Sequence, residues 1–152
     1  MKKKISWNNI KPETQSVWGG EIEAFPHGAT QTPIVNSVAF GYDNLDEWMH
    51  VAKGEKDGHI YGRNTNPTVN VLEEKIRILE GAEAATSFSS GMAAISNTIF
   101  ANLNSGDRVV AGKDTYGGTS KLFLEFLPQY DIEVVLCDTT DHDQIEDEVN
   151  RG

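Results

Sequence analysis

The chain has 152 residues, 38% of them hydrophobic and 24% charged, with a formal net charge of -10. This balance excludes a disordered or fibrous chain and fits a soluble globular domain, or a piece of a larger one. The acidic excess argues against nucleic-acid or anionic-membrane binding as the main task, because both need a basic surface.

Residues 1–40 mix polar and apolar positions with Pro12, Pro26 and Pro33 and show no helical period. They read as an extended arm, in which TPIVNSVAF (residues 32–40) is expected to form a short strand. The basic run at Lys2, Lys3 and Lys4 reads as a solvated tail. Residues 43–53, DNLDEWMHVAK, carry a helix start, and Gly54 stops the helix before the loop GEKDGH. Asn66 is a good N-cap and Pro67 a good first helical residue. Val69, Leu72, Ile76 and Leu79 then recur at three-to-four spacing until Gly81.

Downstream, AEAATSF (82–88) reads as a strand and SSG as a turn. MAAISNTIFANL (92–103) reads as a helix with Met92, Ile95, Ile99 and Leu103 on one side. DRVVAG (107–112) is a second strand, and GGTSKLFLEFLPQ (117–129) is a helix closing at Pro128. IEVVLC (132–137) is a third strand, and DHDQIEDEVN opens a last helix. Strands alternating with helices of this length predict an α/β fold with a mostly parallel sheet and crossover helices. Three strands make a thin sheet for parallel strands that are normally buried on both faces. The chain is therefore expected to be the first part of a larger domain. No apolar stretch approaches the roughly 20 residues of a membrane helix, no secretory pattern is visible, and a cytoplasmic location is expected. The single cysteine, Cys137, sits in an apolar run and reads as a buried structural thiol.

In parallel α/β sheets ligands bind beyond the carboxyl ends of the strands. TSFSSGMAA would place the amides of Gly91 and Met92 at a helix N-terminus, where unpaired donors and the helix dipole favour an anion such as phosphate. Small residues there also serve close packing. In VVAGKDTYGGTSKL, Tyr116 is placed to stack on a flat ligand or to cover the sheet edge. Tyr61 and Arg63, in YGRNTNPT, pose a further question, because arginine is the residue best suited to grip phosphate bidentately. No GxGxxG or GxxxxGK[ST] is present. His27, His50, His59 and His142 lack metal-ligand spacing, and no metal is expected. The acidic group Asp141, Asp143, Glu146 and Asp147 reads as surface charge at a helix start.

YGRNTNPT, SSGMAA and YGGT, in this order and spacing, resemble the cysteine/methionine-metabolism family of pyridoxal-phosphate enzymes. LEEKIRILEGAEAA and LNSGDRVVAGKDTYGGT resemble that family's connecting stretches. The family includes cystathionine γ-synthase, cystathionine γ- and β-lyases, methionine γ-lyase and the homoserine-ester sulfhydrylases. The resemblance runs from about Glu13 to the end of the chain. It implies the first half of a fold type I large domain over residues 61–152, preceded by a dimer-embracing arm over residues 1–60. It also implies a homodimer or a homotetramer with active sites shared between subunits.

The cofactor implied is pyridoxal 5'-phosphate. Tyr61 and Arg63 match the pair that reaches into the neighbouring subunit's site and binds the cofactor phosphate. Ser90, Gly91 and Met92 match the phosphate cradle. Tyr116 matches the tyrosine that stacks on the pyridine ring and helps to activate the incoming amine. Lys121 stands where transsulfuration enzymes often carry an arginine for a distal substrate carboxylate. Met92 resembles the synthase and lyase branch; acetylhomoserine sulfhydrylases tend to carry glutamine there. The cofactor-bonding lysine, the aspartate facing the pyridine nitrogen and the arginine for the substrate α-carboxylate belong to the family's later half. Lys113 and Lys121 occupy neither the first of these positions nor a substitute for it. The resemblance implies a transsulfuration-type enzyme, cystathionine γ-synthase-like, whose 152-residue portion is inactive alone. The alternative is a truncated or split non-catalytic subunit that pairs with a full-length relative.

Overall fold

The structure, a computed structural model, describes residues 6–21 and 29–151. Lys2, Lys3, Lys4 and His27 lie outside the described residues. The chain divides into two compact units, Met1–Ser87 and Phe88–Gly152.

Among the described residues the first unit opens with helical structure where the sequence pattern predicts an extended arm. A 3-10 turn at Trp7–Asn9 leads into helix α1, Pro12–Trp18. Seven residues are too few to display a hydrophobic repeat, which is why the pattern missed it. Pro12 is preorganised for the first turn. The buried Gln15 amide ties turn to helix by donating to the carbonyls of Trp7 (2.8 Å) and Ile10 (2.9 Å). Helix α2, Leu45–Ala52, starts at Asn44, whose side chain accepts from the Glu47 amide. Helix α3, Pro67–Glu80, begins and ends as its sequence predicts. Asn66 accepts from the Thr68 amide, and Gly81 closes the helix in the left-handed region at φ 64°.

The buried face of α3 differs from the apolar stripe in the sequence. Val71 and Ile78 are buried, while Val69, Leu72, Ile76 and Leu79 are each at least 38% exposed. Helix α1 packs against α3, and the turn at Gly19 approaches Ile78. Docking thus selects a face that periodicity alone does not.

Residues 32–40 form no strand beyond one antiparallel bridge, Ala39 with Tyr61. The backbone groups of Pro33 and Val35 are taken instead by the start of α3. Thr68 Oγ1 accepts from the Val35 amide and donates to the Pro33 carbonyl, and Asn66 Nδ2 donates to the Val35 carbonyl. The strand expected over residues 82–88 is also absent. The Ala82 amide caps α3 at the Arg77 carbonyl, and the Ser87 amide donates to the Glu73 carboxylate at 2.7 Å. A ladder needs these groups free.

The second unit holds α4 (Gly91–Asn102), β1 (Arg108–Gly112), α5 (Gly117–Lys121), β2 (Glu133–Cys137) and α6 (His142–Asn150). The two strands are parallel, in the register Arg108 with Glu133 through Gly112 with Cys137. The crossover helix begins as α5, widens into a π turn at Leu122–Phe126 and tightens into a 3-10 turn at Leu127–Tyr130. Pro128 lies inside that last turn instead of ending the helix before it, and Asp131, at φ 59°, stops the run.

Leu122, Phe123, Leu127 and Ile132 form the buried core. Ile95, Ile99 and Leu103 of α4 and the inner side chains of both strands pack around it. Leu127 and Cys137 are almost wholly buried, in keeping with a structural thiol. Asp141 caps α6 by accepting from the Gln144 amide. Arg108 fastens α6 to β1 by its ion pair to Glu148 and pairs across the sheet with Glu133 of β2. Among the described residues no helix is long and apolar enough to cross a membrane.

Candidate functional site

Helix α4 opens with Ser90 in an extended conformation, its hydroxyl accepting from the Ala93 amide at 3.1 Å. That cap leaves the amides of Gly91 and Met92 with no partner among the described residues. The space beside Gly91 is open, with nothing within 4 Å of where a side chain would start. Two free donors and the positive end of a twelve-residue helix thus face accessible space.

Tyr116 stands just before α5 and is 74% exposed. Its ring lies over Gly118. A Cβ placed on Gly118 would sit 2.9 Å from Tyr116 Cε1 and 3.2 Å from Met92 Sδ. Thr119, buried, donates its hydroxyl to the Met92 sulfur at 3.5 Å. A bare glycine and one threonine therefore bring the Tyr116 ring and the first turn of α4 together. Tyr116 and Met92 are marked by residue type in the sequence, whereas Gly118 and Thr119 stand there only as part of YGGT, with no sign of their packing role beyond the paired glycines. The paired glycines were the available signal, since the second is the one with no room for a side chain.

Lys121 lies on the exposed side of the crossover helix, 3.7 Å from Glu125. Such an exposed i,i+4 pair is weak and easily exchanged. At the carboxyl end of β1, the Lys113 amide continues the ladder to the Cys137 carbonyl, and its ammonium donates to Asp138 at 2.6 Å. That bond, with two more from Thr140, holds the Asp138 carboxyl well below the usual carboxylate range.

Tyr61 and Arg63 belong to the first unit. The Arg63 guanidinium carbon lies 5.1 Å from the centroid of the Tyr61 ring. Its hydrogen-bond partner is the Asn64 side-chain oxygen, at 3.2 Å. Arg77, Arg108 and Arg151 all pair with glutamates. Arg63 alone among the arginines has no carboxylate partner among the described residues. Among the described residues no cluster of histidine, cysteine and carboxylates has the arrangement to hold a metal.

The profile of a family described as Cys/Met metabolism PLP-dependent enzyme matches residues 13–151. The chain belongs to this family. It is 42% identical over 134 residues to an L-methionine gamma-lyase of Porphyromonas gingivalis, covering 88% of this chain and 33% of that protein. It is 38% identical over 129 residues to an O-acetyl-L-homoserine sulfhydrylase of Corynebacterium glutamicum, covering 85% of this chain and 30% of that protein. Among solved structures, it resembles a Campylobacter jejuni protein described as an O-acetylhomoserine (thiol)-lyase and carrying N'-pyridoxyl-lysine-5'-monophosphate. The TM-score there is 0.80 at 30% identity, over 91% of this chain and 34% of that one. The chain thus spans about a third of the length of the relatives it matches.

The α/β arrangement, with parallel strands joined by a crossover helix, is that of Cys/Met metabolism PLP-dependent enzymes. The donor set on this chain fits a phosphorylated pyridine. Free amides at Gly91 and Met92 suit a phosphate dianion, and an exposed phenol ring suits a flat heteroaromatic.

Proposed function

We propose that the protein is a pyridoxal-phosphate-dependent enzyme of the transsulfuration type. It would carry out γ-elimination or γ-replacement on a substituted homoserine, cystathionine or a related sulfur amino acid, in the manner of a cystathionine γ-synthase. The observation that carries this reading is the shared platform of Met92, Gly118 and Tyr116, which sets a phosphate cradle beside an exposed aromatic face. Ser90, Gly91 and Met92 bind the phosphate of the cofactor. Tyr61 and Arg63 add a fork of donors, supplied to a neighbouring subunit's site in a homodimer or homotetramer.

Bound there, pyridoxal phosphate supplies an electron sink for negative charge at the substrate α-carbon. Tyr116 would cover one face of the ring, exclude water from it and offer its phenolic oxygen as a hydrogen-bond acceptor to the incoming amine. Lys121 exchanges Glu125 for a distal carboxylate of the substrate, as a point charge without arginine's fork. The reaction takes place in the cytoplasm.

The test uses the natural protein expressed from its complete gene, supplied with pyridoxal phosphate. L-methionine, cystathionine and the O-acyl homoserines are offered in turn, and 2-oxo acid, thiol and cystathionine are measured. Cofactor-dependent formation of any of these products supports the reading. A protein that associates with a longer relative and turns over none of them supports the non-catalytic subunit instead.

A further inference from the structure

We propose that Tyr42 is a positioning residue for the loop that carries Tyr61 and Arg63. It acts through the backbone of His59 and never touches the anion. The inference rests on the reading of Arg63 as a phosphate ligand.

Arg63 has no carboxylate partner among the described residues. The loop closes on itself through the Asn64 and Thr65 amides, which donate to the Tyr61 carbonyl at 2.8 and 3.2 Å, and the direction of this turn is set at its base. Pairing with the preceding segment supplies little. The Phe40 amide donates to the Ile60 carbonyl (3.1 Å) and the Gly62 amide to the Val38 carbonyl (2.7 Å) around the single bridge of Ala39 and Tyr61. A two-stranded ribbon of this length is marginal by itself.

Tyr42 adds the missing anchor. Its phenolic hydroxyl donates to the His59 carbonyl at 2.8 Å and accepts from the His59 amide at 3.1 Å. One side chain thus satisfies both backbone groups of the residue two before Tyr61. The contact is built into the sequence at Gly58. A Cβ there would lie 2.6 Å from the Tyr42 hydroxyl and 2.9 Å from Val51 Cγ1, so only glycine admits the clamp. The His59 ring is fixed in turn, packed against Phe40 at 5.2 Å and bonded through Nδ1 to Thr65 Oγ1 at 2.9 Å. Tyr61 and Arg63 lie between these two attachments. Apparent affinity falls with the fraction of molecules that hold the binding arrangement, so loosening the base weakens binding at the tip.

The test uses the natural protein and four forms: unaltered, Tyr42→Phe, Arg63→Ala and the double variant. Dissociation constants for pyridoxal phosphate and for pyridoxal are measured, with amide hydrogen exchange at residues 59–62. Tyr42→Phe removes only the hydroxyl. It removes two hydrogen bonds and is expected to weaken pyridoxal phosphate binding about fivefold, the part of that loss felt at the tip of the loop, to leave pyridoxal binding unchanged and to speed exchange at residues 59–62. Added to Arg63→Ala, it should weaken binding no further, since coupled sites are not additive. An unchanged constant for Tyr42→Phe overturns the proposal, as does an effect that persists in full without Arg63. If Arg63→Ala alone leaves pyridoxal phosphate affinity unchanged, the phosphate reading itself fails and the proposal falls with it. Should Tyr42→Phe not fold, Gly58→Ala, which crowds the same hydroxyl, carries the same expectations.

Discussion

Arg63 holds its guanidinium carbon 5.1 Å from the centre of the Tyr61 ring, and its only side-chain hydrogen-bond partner among the described residues is the neutral Asn64. On a chain of net charge -10, the other three arginines are spent on glutamates. An arginine stacked on a tyrosine is oriented without being neutralised, which suits a planar fork waiting for an oxyanion.

Arg63→Lys keeps the charge and loses the fork. Pyridoxal phosphate affinity is expected to fall about tenfold, roughly 1.4 kcal/mol, with pyridoxal affinity unchanged. Equilibrium titration of both compounds checks this.

Gly118→Ala places a methyl group against Tyr116 Cε1 and Met92 Sδ. The exposed tyrosine can swing away, so the fold should lose about 1 kcal/mol, the low end of overpacking costs. Cofactor affinity should fall about fivefold or more, because ring and cradle no longer share one platform. Parallel thermal unfolding and cofactor titration separate the two effects; a large loss of stability with unaltered affinity would sink the idea.

Asp138 titrates below the ordinary carboxylate range because Lys113 and Thr140 bond its charged form. A depressed folded-state pKa gives stability that is present above the unfolded value, about 3.9, and is lost as pH falls through the folded value. NMR titration of the Asp138 carboxyl carbon should show a midpoint well below 3.9, moving up towards it in Lys113→Met. Both groups are exposed, so high salt should narrow the difference.

Asn66 performs two tasks, capping α3 and donating to the Val35 carbonyl. Asn66→Ala is expected to cost about 1–2 kcal/mol. Denaturant unfolding of the natural protein reads this, and a change within experimental error would show that solvent replaces both bonds.

Helix ends and the parallel pair were legible because their signals are local. Asn66, Pro67 and Gly81 bound α3, Ser90 opens α4, and two runs of β-branched residues became β1 and β2. What was not legible depends on partners far along the chain. The stripe of Val69, Leu72, Ile76 and Leu79 marks a helix, but the contact with α1 chose Val71 and Ile78 for burial. Residues 82–88 have strand-like composition, yet Glu73 and the end of α3 take up backbone groups that a ladder would use. The π turn at Leu122–Phe126 has no marker in the residue pattern. For the site, residue types named Tyr116, Gly91, Met92 and Arg63. Only the fold brings Met92 and Tyr116 together at Gly118.

A chain that grips the phosphate of a pyridoxal cofactor must distinguish that cofactor from its dephosphorylated form. The most direct measurement is the ratio of dissociation constants for pyridoxal and pyridoxal phosphate on the natural protein. Two free helix amides and a guanidinium fork predict a ratio of about 100 or more in favour of the phosphate form. Equal constants would contradict the account.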